Sequence, residues 1–335
     1  MQMKRIIKIA ILVFVSALLG FSYGFLVHRN KIFPYRQIVR AHMKLIYRND
    51  MQWSIGVYHG TDPFHLSDPE GVENPVLTAR DVTDINAAFV ADPFMIEAEG
   101  KYYLFFEVMN LDTNTGDIGV AVSDNGKEWT YSAIVVDEPF HLSYPSVFQW
   151  KGSYYMIPES YRDSSVRLYR ATSFPDSWEY LGNLLDGAQY VDPTTFFYND
   201  KWWMFTTNYG NSLLNLYFSD SLESGWQAHP MNPLIANNSS IIRPAGRMFE
   251  FEGKLFRLVQ DDYPYYGIQV YAFEILELST QSFREQVDTL NTVVTMSGKG
   301  WNAAGMHQVD LHKTDDGWMA IVDGLKRRSE KNINE

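Results

Sequence analysis

The 335-residue chain carries a net charge of −12 and has no cysteine, which excludes disulfides, a thiol nucleophile and thiolate metal sites. Residues 1–50 hold nine Lys/Arg and one Asp, leaving 19 basic against 39 acidic side chains in residues 51–335. So acidic a body lacks the basic footprint that nucleic-acid binding needs, and no nucleic-acid partner is expected. Aromatic content is 15%, which strands rich in Tyr, Phe and Trp mostly explain, with some left for a carbohydrate-binding surface.

In chain order, a tail (1–8) precedes residues 9–27 (IAILVFVSALLGFSYGFLV), 19 residues without a charge. That run is enough to cross a hydrocarbon core of roughly 30 Å as one helix. It is long for a signal-peptide core and no small-x-small cleavage site follows, so a retained single-pass transmembrane anchor is predicted. A basic juxtamembrane segment, 28–50, comes next. Lys4, Arg5 and Lys8 precede the span, whereas Arg29, Lys31, Arg36, Arg40, Lys44 and Arg48 follow it. Positive charge favours the cytoplasmic side and anionic lipid, which puts the body in the cytoplasm. The other reading, a signal-anchor whose body is exported despite those charges, stays open. Asn-x-Ser triplets at Asn237 and Asn238 do not discriminate between them.

Residues 91–108, ADPFMIEAEGKYYLFFEV, read as two strands about a turn at Glu99-Gly100. The same hairpin recurs with turns at Gly152, Asp200, Gly253 and near Asp316-Gly317, at steps of 48 to 64 residues. Such a period signals a propeller or solenoid. Each interval has room for two further strands, the outer one near Trp129, Trp178 or Trp226. Five four-stranded units make an all-β five-bladed propeller over 51–325, followed by a C-terminal tail, 326–335. The last unit has only two strands before the tail. The run beginning at Trp53, with residues 74–78, is therefore expected to supply its outer strands and close the ring.

Equivalent positions converge at one mouth. Eight residues before the first four turns stand Asp92, Tyr144, Asp192 and Ala245, and, allowing a longer fifth turn, His307 joins them; the second strands end at Glu107, Glu159, Thr207, Gln260 and Asp323. Carboxylates gathered in one funnel raise each other's pKa, so that one stays protonated as an acid while another is ionised as a base. Arg167, Arg243 and Arg247 either pair with these acids or grip a substrate phosphate or carboxylate. His141, in the string PFHLS, is a further funnel candidate.

The motifs Asp92-Pro93 and Asp192-Pro193, with Ser-Asp…Trp endings at 123–129 and 219–226, resemble the propeller glycosidases of families 43, 32 and 68. The body resembles still more the N-terminal propeller of plant glucosamine inositolphosphorylceramide transferases and its bacterial relatives. VADPF (90–94), DEPFHLSYPSVF (137–148), YMIPES (155–160), VRLYRA (166–171), VDPTTF (191–196) and PAGRMF (244–249) carry that likeness across roughly 51–325. Family 43 places a general base at Asp92 and a pKa modulator at Asp192. Its acid does not transfer, because Ala245 fills that slot; Glu159 and then Glu107 are the replacements expected. His307 resembles a histidine near a central divalent cation in some members, against which stands a buried, satisfied imidazole; no other cofactor is expected.

Two functions follow from the resemblance and the residues. One is a membrane-anchored carbohydrate-active enzyme that hydrolyses or transfers a glycosyl unit of a glycan or glycolipid through Asp92 and Asp192, with Glu159 or Glu107 as acid. The other is a non-catalytic glycan- or glycolipid-binding module that assists a glycosyltransferase partner in surface polysaccharide or glycolipid synthesis. Under either, Tyr144, His141, Arg167, Arg243, Arg247, Gln260, His307 and Asp323 are candidate ligand contacts.

Overall fold

The computed structural model describes residues 51–327, with side chains at all of these except 51, 287–290 and 327. The predicted anchor at 9–27 and the segments around it lie outside the described residues, among which no helix is long and apolar enough to cross a membrane.

The described chain is a five-bladed β-propeller. It begins with β1 (Met51–Gly60) and β2 (Leu66–Ser67). Blade one is β3 (Ala87–Ala98), β4 (Lys101–Asn110), β5 (Thr115–Ser123) and β6 (Thr130–Val136). Blade two is β7 (Ser143–Trp150), β8 (Ser153–Ser160), β9 (Ser165–Ser173) and β10 (Ser177–Asp186). Blade three holds β11 (Tyr190–Tyr198), β12 (Lys201–Asn208), β13 (Leu213–Ser219) and β14 (Gln227–Ala228), with β15 (Ile235–Ala236) also paired to β13. Blade four is β16 (Phe249–Phe251), β17 (Lys254–Asp261), β18 (Gln269–Leu278) and β19 (Phe283–Thr295). Blade five is β20 (Val309–Thr314), β21 (Gly317–Arg327), then β1 and β2. The start of the described chain thus closes the ring and leaves β21 without a free edge.

Residues 74–78 do not form a strand. Asn74 is the physical reason: its amide accepts the Val57 N–H at 2.9 Å and donates to the Val57 carbonyl at 2.8 Å, occupying the ladder groups that a paired strand would use. Only an isolated bridge, Ile55 to Leu77, remains there, and β2 is the outermost strand instead.

Four of the hairpins turn on two residues that both have positive φ: Glu99-Gly100, Lys151-Gly152, Asn199-Asp200 and Glu252-Gly253. This is the primed turn whose twist matches that of the strands, and Asn-Asp achieves it in blade three without glycine. Second strands read as continuous apolar runs because each blade is covered on both faces. Leu104, Phe105 and Phe106 are all fully buried. The core accordingly lies in five seams rather than one centre. Phe94, Phe105, Tyr144, Met156 and Tyr169 meet between blades one and two, and Phe256, Leu258, Val309 and Trp318 between four and five.

The tightest seam is at Gly246. Its φ is +139°, and a Cβ there would stand 1.8 Å from the Val309 carbonyl oxygen. Gly246→Ala is therefore expected to lower the unfolding free energy by about 3 kcal/mol or more, since backbone must move and the conformation is strained. Urea denaturation measures this; an unchanged midpoint would contradict the packing.

Candidate functional site

Inner strands begin, and second strands end, at the same face of the ring, and there the first three blades share one device. The ladder jumps from Ala91↔Glu107 to Phe94↔Phe105, from Ser143↔Glu159 to Ser146↔Ile157, and from Val191↔Thr207 to Thr194↔Phe205. Each jump is a bulge, and at its first unpaired residue Asp92, Tyr144 and Asp192 have φ of 52°, 48° and 48°. A left-handed non-glycine residue costs about 1–2 kcal/mol, and the bulge re-aims the side chain. The proline that follows has no N–H to lose, so it sits in the bulge at no hydrogen-bond cost.

The bulge N–H groups find carboxylates on the preceding blade. Asp92 N–H donates to Asp323 Oδ2 (3.2 Å), Tyr144 N–H to Asp92 Oδ2 (3.3 Å) and Asp192 N–H to Glu159 Oε2 (3.0 Å). Glu159 also accepts from Ser143 Oγ at 3.2 Å. Glu107 is held more loosely, with His141 Nε2 at 3.5 Å. His141 Nδ1 accepts the Gly116 N–H at 2.7 Å, which puts the ring proton on Nε2, facing Glu107. Residue 116 has to be glycine: a Cβ would stand 2.2 Å from the Leu142 carbonyl oxygen, and 2.9 Å from both Glu107 Oε1 and His141 Cε1.

Asp92, Glu107, Glu159, Asp192 and Asp323 are all buried at this mouth. Burial first, then Asp92, Glu159 and Asp192, push Glu107 well above the usual carboxylate range. Burial and then Asp192 do the same to Glu159. Burial raises Asp92 to about 7, His307 opposing and Asp192 and Asp323 reinforcing it. Burial, then Arg162 and Arg243, lower His141 to about 4, so it is neutral at physiological pH.

The arginines are spent on carboxylates. Arg243 pairs with Asp192 through Nε and lies over Tyr266, 5.1 Å from the ring centroid. Arg247 pairs with Asp310 at 2.7 Å and donates to the carbonyls of Met95 and Val147, farther along the inner strands from the mouth. Burial alone would raise Asp310, but Arg247 and His312 outweigh it and hold the carboxyl below its ordinary range. Arg167 pairs with Asp163 and Glu138 between the rings of Phe140 and Tyr180. Neither Glu107 nor Glu159 takes an arginine partner among these. Tyr144 contributes only backbone to the mouth: its ring is fully buried against Phe94, and its hydroxyl meets Thr194 Oγ1 and the Gly246 backbone. Gln260 donates to Asp192 Oδ2 and Pro244 O, while its buried Oε1 has no partner in the protein.

Asp92, His307 and Asp323 offer ligand atoms within 4.8 Å of one another. The set does not suit a cation, because Asp323 is already engaged. Its Oδ1 accepts the His307 and Gln308 N–H groups, and its Oδ2 takes the Asp92 N–H and lies 2.7 Å from His307 Nδ1. Burial lowers the His307 pKa, but Asp323 and Asp92 outweigh it and hold it above the ordinary imidazole value.

Two neighbours lay outside the sequence argument. Trp53 lies tilted against His307 with ring centroids 4.1 Å apart, and Tyr266 meets His307 edge-on at 5.2 Å. Both sit outside the hairpins whose register led to the mouth, Trp53 on the closing strand and Tyr266 in a loop. Two surface cavities, about 220 Å³ beside Arg80 and about 420 Å³ beside Trp202, include none of the predicted site residues.

Fold and site together define a glycosidase-like propeller with axial carboxylates. Solved structures support the fold: a Bacteroides ovatus protein described as a putative glycoside hydrolase matches with TM-score 0.57 and 14% identity over 76% of this chain and 95% of that one. A family 117 glycoside hydrolase of Zobellia galactanivorans matches with TM-score 0.51 and 14% identity over 84% and 91%. The family is given by sequence. Residues 47–325 match the model for the N-terminal part of glucosamine inositolphosphorylceramide transferase 1, and the chain belongs to that family. It is 35% identical over 296 residues to glucosamine inositolphosphorylceramide transferase 1 of Oryza sativa subsp. japonica, covering 81% of this chain and 40% of that protein. To the Arabidopsis thaliana protein of the same name it is 34% identical over 300 residues, 82% and 39% of the two chains. The chain thus spans about two fifths of the length of these plant relatives.

The raised acids fix a pH dependence. A carboxyl whose folded pKa is raised binds more protons folded than unfolded, so its contribution falls as pH rises from its unfolded value to its folded one. Asp92, Glu107 and Glu159 all act this way, as do Asp117, raised to about 6, and Asp262; His141 and His59, both lowered, oppose them below about pH 6.5 as two groups against five. Unfolding free energy is expected to fall between pH 5 and 7. Glu107→Gln should reduce that slope by about one proton, about 1.4 kcal/mol per pH unit. Urea titrations across the range measure both; an unaltered slope in the variant would show that Glu107 is ionised when folded.

Proposed function

We propose that the chain is a membrane-held carbohydrate-active propeller whose mouth takes the head of a glycan or glycolipid and hydrolyses or transfers a glycosyl unit. The observation that carries this is the cluster itself: Asp92, Glu107, Glu159 and Asp192 lie buried at one mouth, burial raises the first three carboxyls, and His307, 3.3 Å from Asp92, favours the ionised form of that one alone among the three. Glycosyl chemistry needs that pair, an acid to protonate the leaving oxygen and an ionised carboxylate for water or the anomeric carbon. Asp92 serves as base or nucleophile, with His307 opposing the burial that would keep it protonated. Asp192, bound by Arg243 and Gln260, orients substrate. Geometry favours Glu107 as acid over Glu159, whose two oxygens already accept bonds from Ser143 and the Asp192 N–H. The unpartnered Gln260 Oε1 supplies an acceptor for a sugar hydroxyl.

The relatives' names join glucosamine to inositolphosphorylceramide, which makes a phosphoinositol glycolipid head the substrate class to try first. Arg243 and Arg247 are committed to carboxylates, so a phosphate would meet Arg162 instead, an exposed rim residue bonded to the Tyr161 hydroxyl. On the charge pattern around residues 9–27 the propeller faces the cytoplasm, with export as the competing arrangement.

A second reading is a binding module serving a glycosyltransferase partner. It is favoured by Ala245, fully buried where the resemblance places the acid, and by the bonds that the acids make to neighbouring blades.

The deciding experiment incubates the full chain with glycolipids and oligosaccharides and reads products by mass spectrometry. Asp92→Asn and Glu107→Gln are each expected to lower turnover about 10²–10⁴-fold with ligand affinity nearly unchanged. A fully active Asp92→Asn would remove the assignment, and binding by wild type without turnover would establish the module.

A further inference from the structure

The two ends of the ring differ in chemistry. At the end opposite the mouth the hairpin turns expose charges: Glu99, Lys101, Lys151, Asp200, Glu252 and Asp316. At the mouth the loops from second to third strand, 209–212 in blade three and 262–268 in blade four, expose tyrosines. Tyr263 is 69% exposed, Tyr209 62% and Tyr265 61%, more than any other large hydrophobic side chain among the described residues. Asn211 Nδ2 donates to Asp262 Oδ2 at 2.8 Å and ties the two loops together. Exposed Met296 extends the patch, its N–H bonded to the Ile268 carbonyl at 3.1 Å.

The chain also enters the propeller at this end. Ser54 Oγ reaches the Gly324 carbonyl at 3.5 Å, one residue from Asp323 of the mouth, whereas Gly60 lies beside Gly317 at the opposite turn. The uncharged run 9–27 is therefore joined, through the 23 residues 28–50, to the mouth end of β1. Tyrosine is the side chain suited to a membrane interface, with an apolar ring and a wet hydroxyl.

We propose that the mouth face of blades three and four docks on a lipid bilayer, its tyrosines at headgroup level, so that a lipid-borne substrate reaches the acids without leaving the membrane. This rests on the reading of the chain as membrane-held, but not on catalysis. The propeller is strongly acidic, so the contact is aromatic rather than electrostatic, and anionic lipid does not strengthen it. A linker of 23 residues extends to about 80 Å at most, so the tether alone does not impose this orientation.

Because the chain has no cysteine, a single introduced one takes a nitroxide label uniquely. The full chain carrying Tyr209→Cys, Tyr263→Cys or Tyr265→Cys, with Tyr180→Cys and Phe197→Cys as controls, is reconstituted in phosphatidylcholine vesicles. Power-saturation spectra then compare exposure to oxygen, which partitions into lipid, and to a nickel chelate, which stays in water. The three mouth labels are expected to show oxygen-to-nickel ratios several-fold above both controls, unchanged when phosphatidylserine is added. Water-like ratios at all five positions in a chain that floats with the vesicles would overturn docking and leave the anchor standing. A chain that does not float removes both. Mouth labels shielded by soluble oligosaccharide but water-like on vesicles would make the tyrosines a glycan platform and also overturn the proposal.

Discussion

The mouth depends on one repeated contact, a backbone N–H at a left-handed bulge held by a carboxylate of the preceding blade. Asp323 holds Asp92, Asp92 holds Tyr144, and Glu159 holds Asp192. A bulge leaves its N–H outside the ladder, and an unpaired buried donor costs about 1–3 kcal/mol. The acids therefore brace the ring as well as forming its candidate chemistry. Strain of this kind persists only where the surroundings over-determine it, and here successive blades do so around the axis.

That dual role sets the electrostatics. Five buried acids at one mouth repel, and one guanidinium, Arg243, is committed to the Asp192 carboxylate. Burial first, and repulsion from the neighbouring carboxylates second, raise Glu107 and Glu159 well above the usual carboxylate range. Asp92 is raised too, by burial, but His307 lies 3.3 Å from it and opposes that rise by stabilising its ionised form. His307 is in turn placed by Asp323 and by the ring of Trp53 from the closing strand. Ring closure thus reaches the candidate site: the strand that seals blade five also packs the imidazole beside Asp92.

Much of this is legible in sequence because a propeller repeats. The hairpins announce themselves by glycine or Asn-Asp between apolar strands, and counting from each turn aligns Asp92 with Asp192 and Glu107 with Glu159. What fails is whatever depends on partners in another blade. The arginines at 167, 243 and 247 read alike in sequence, yet one binds Asp163 and Glu138, one Asp192 and one Asp310. Tyr144 occupies the same register as Asp92, but its ring turns into the seam against Phe94, where it is fully buried among apolar side chains. Glu159 and Glu107 are equivalent by position and differ in how their oxygens are engaged. Residues 74–78 carry apolar side chains suited to a strand, and a single amide, Asn74, takes the ladder groups instead.

By itself the sequence determined the number of blades, the closing of the last by the first strand of the body, and the register that brings acids to one end. These follow from local periodicity and turn chemistry, which any stretch of the chain expresses without reference to the rest. Only the tertiary structure decided which acids are raised by burial, which arginines are spent, and which backbone groups occupy the oxygens of Asp323. Those outcomes belong to groups far apart in sequence and in contact in space, where burial and a few ångströms of separation set the energies.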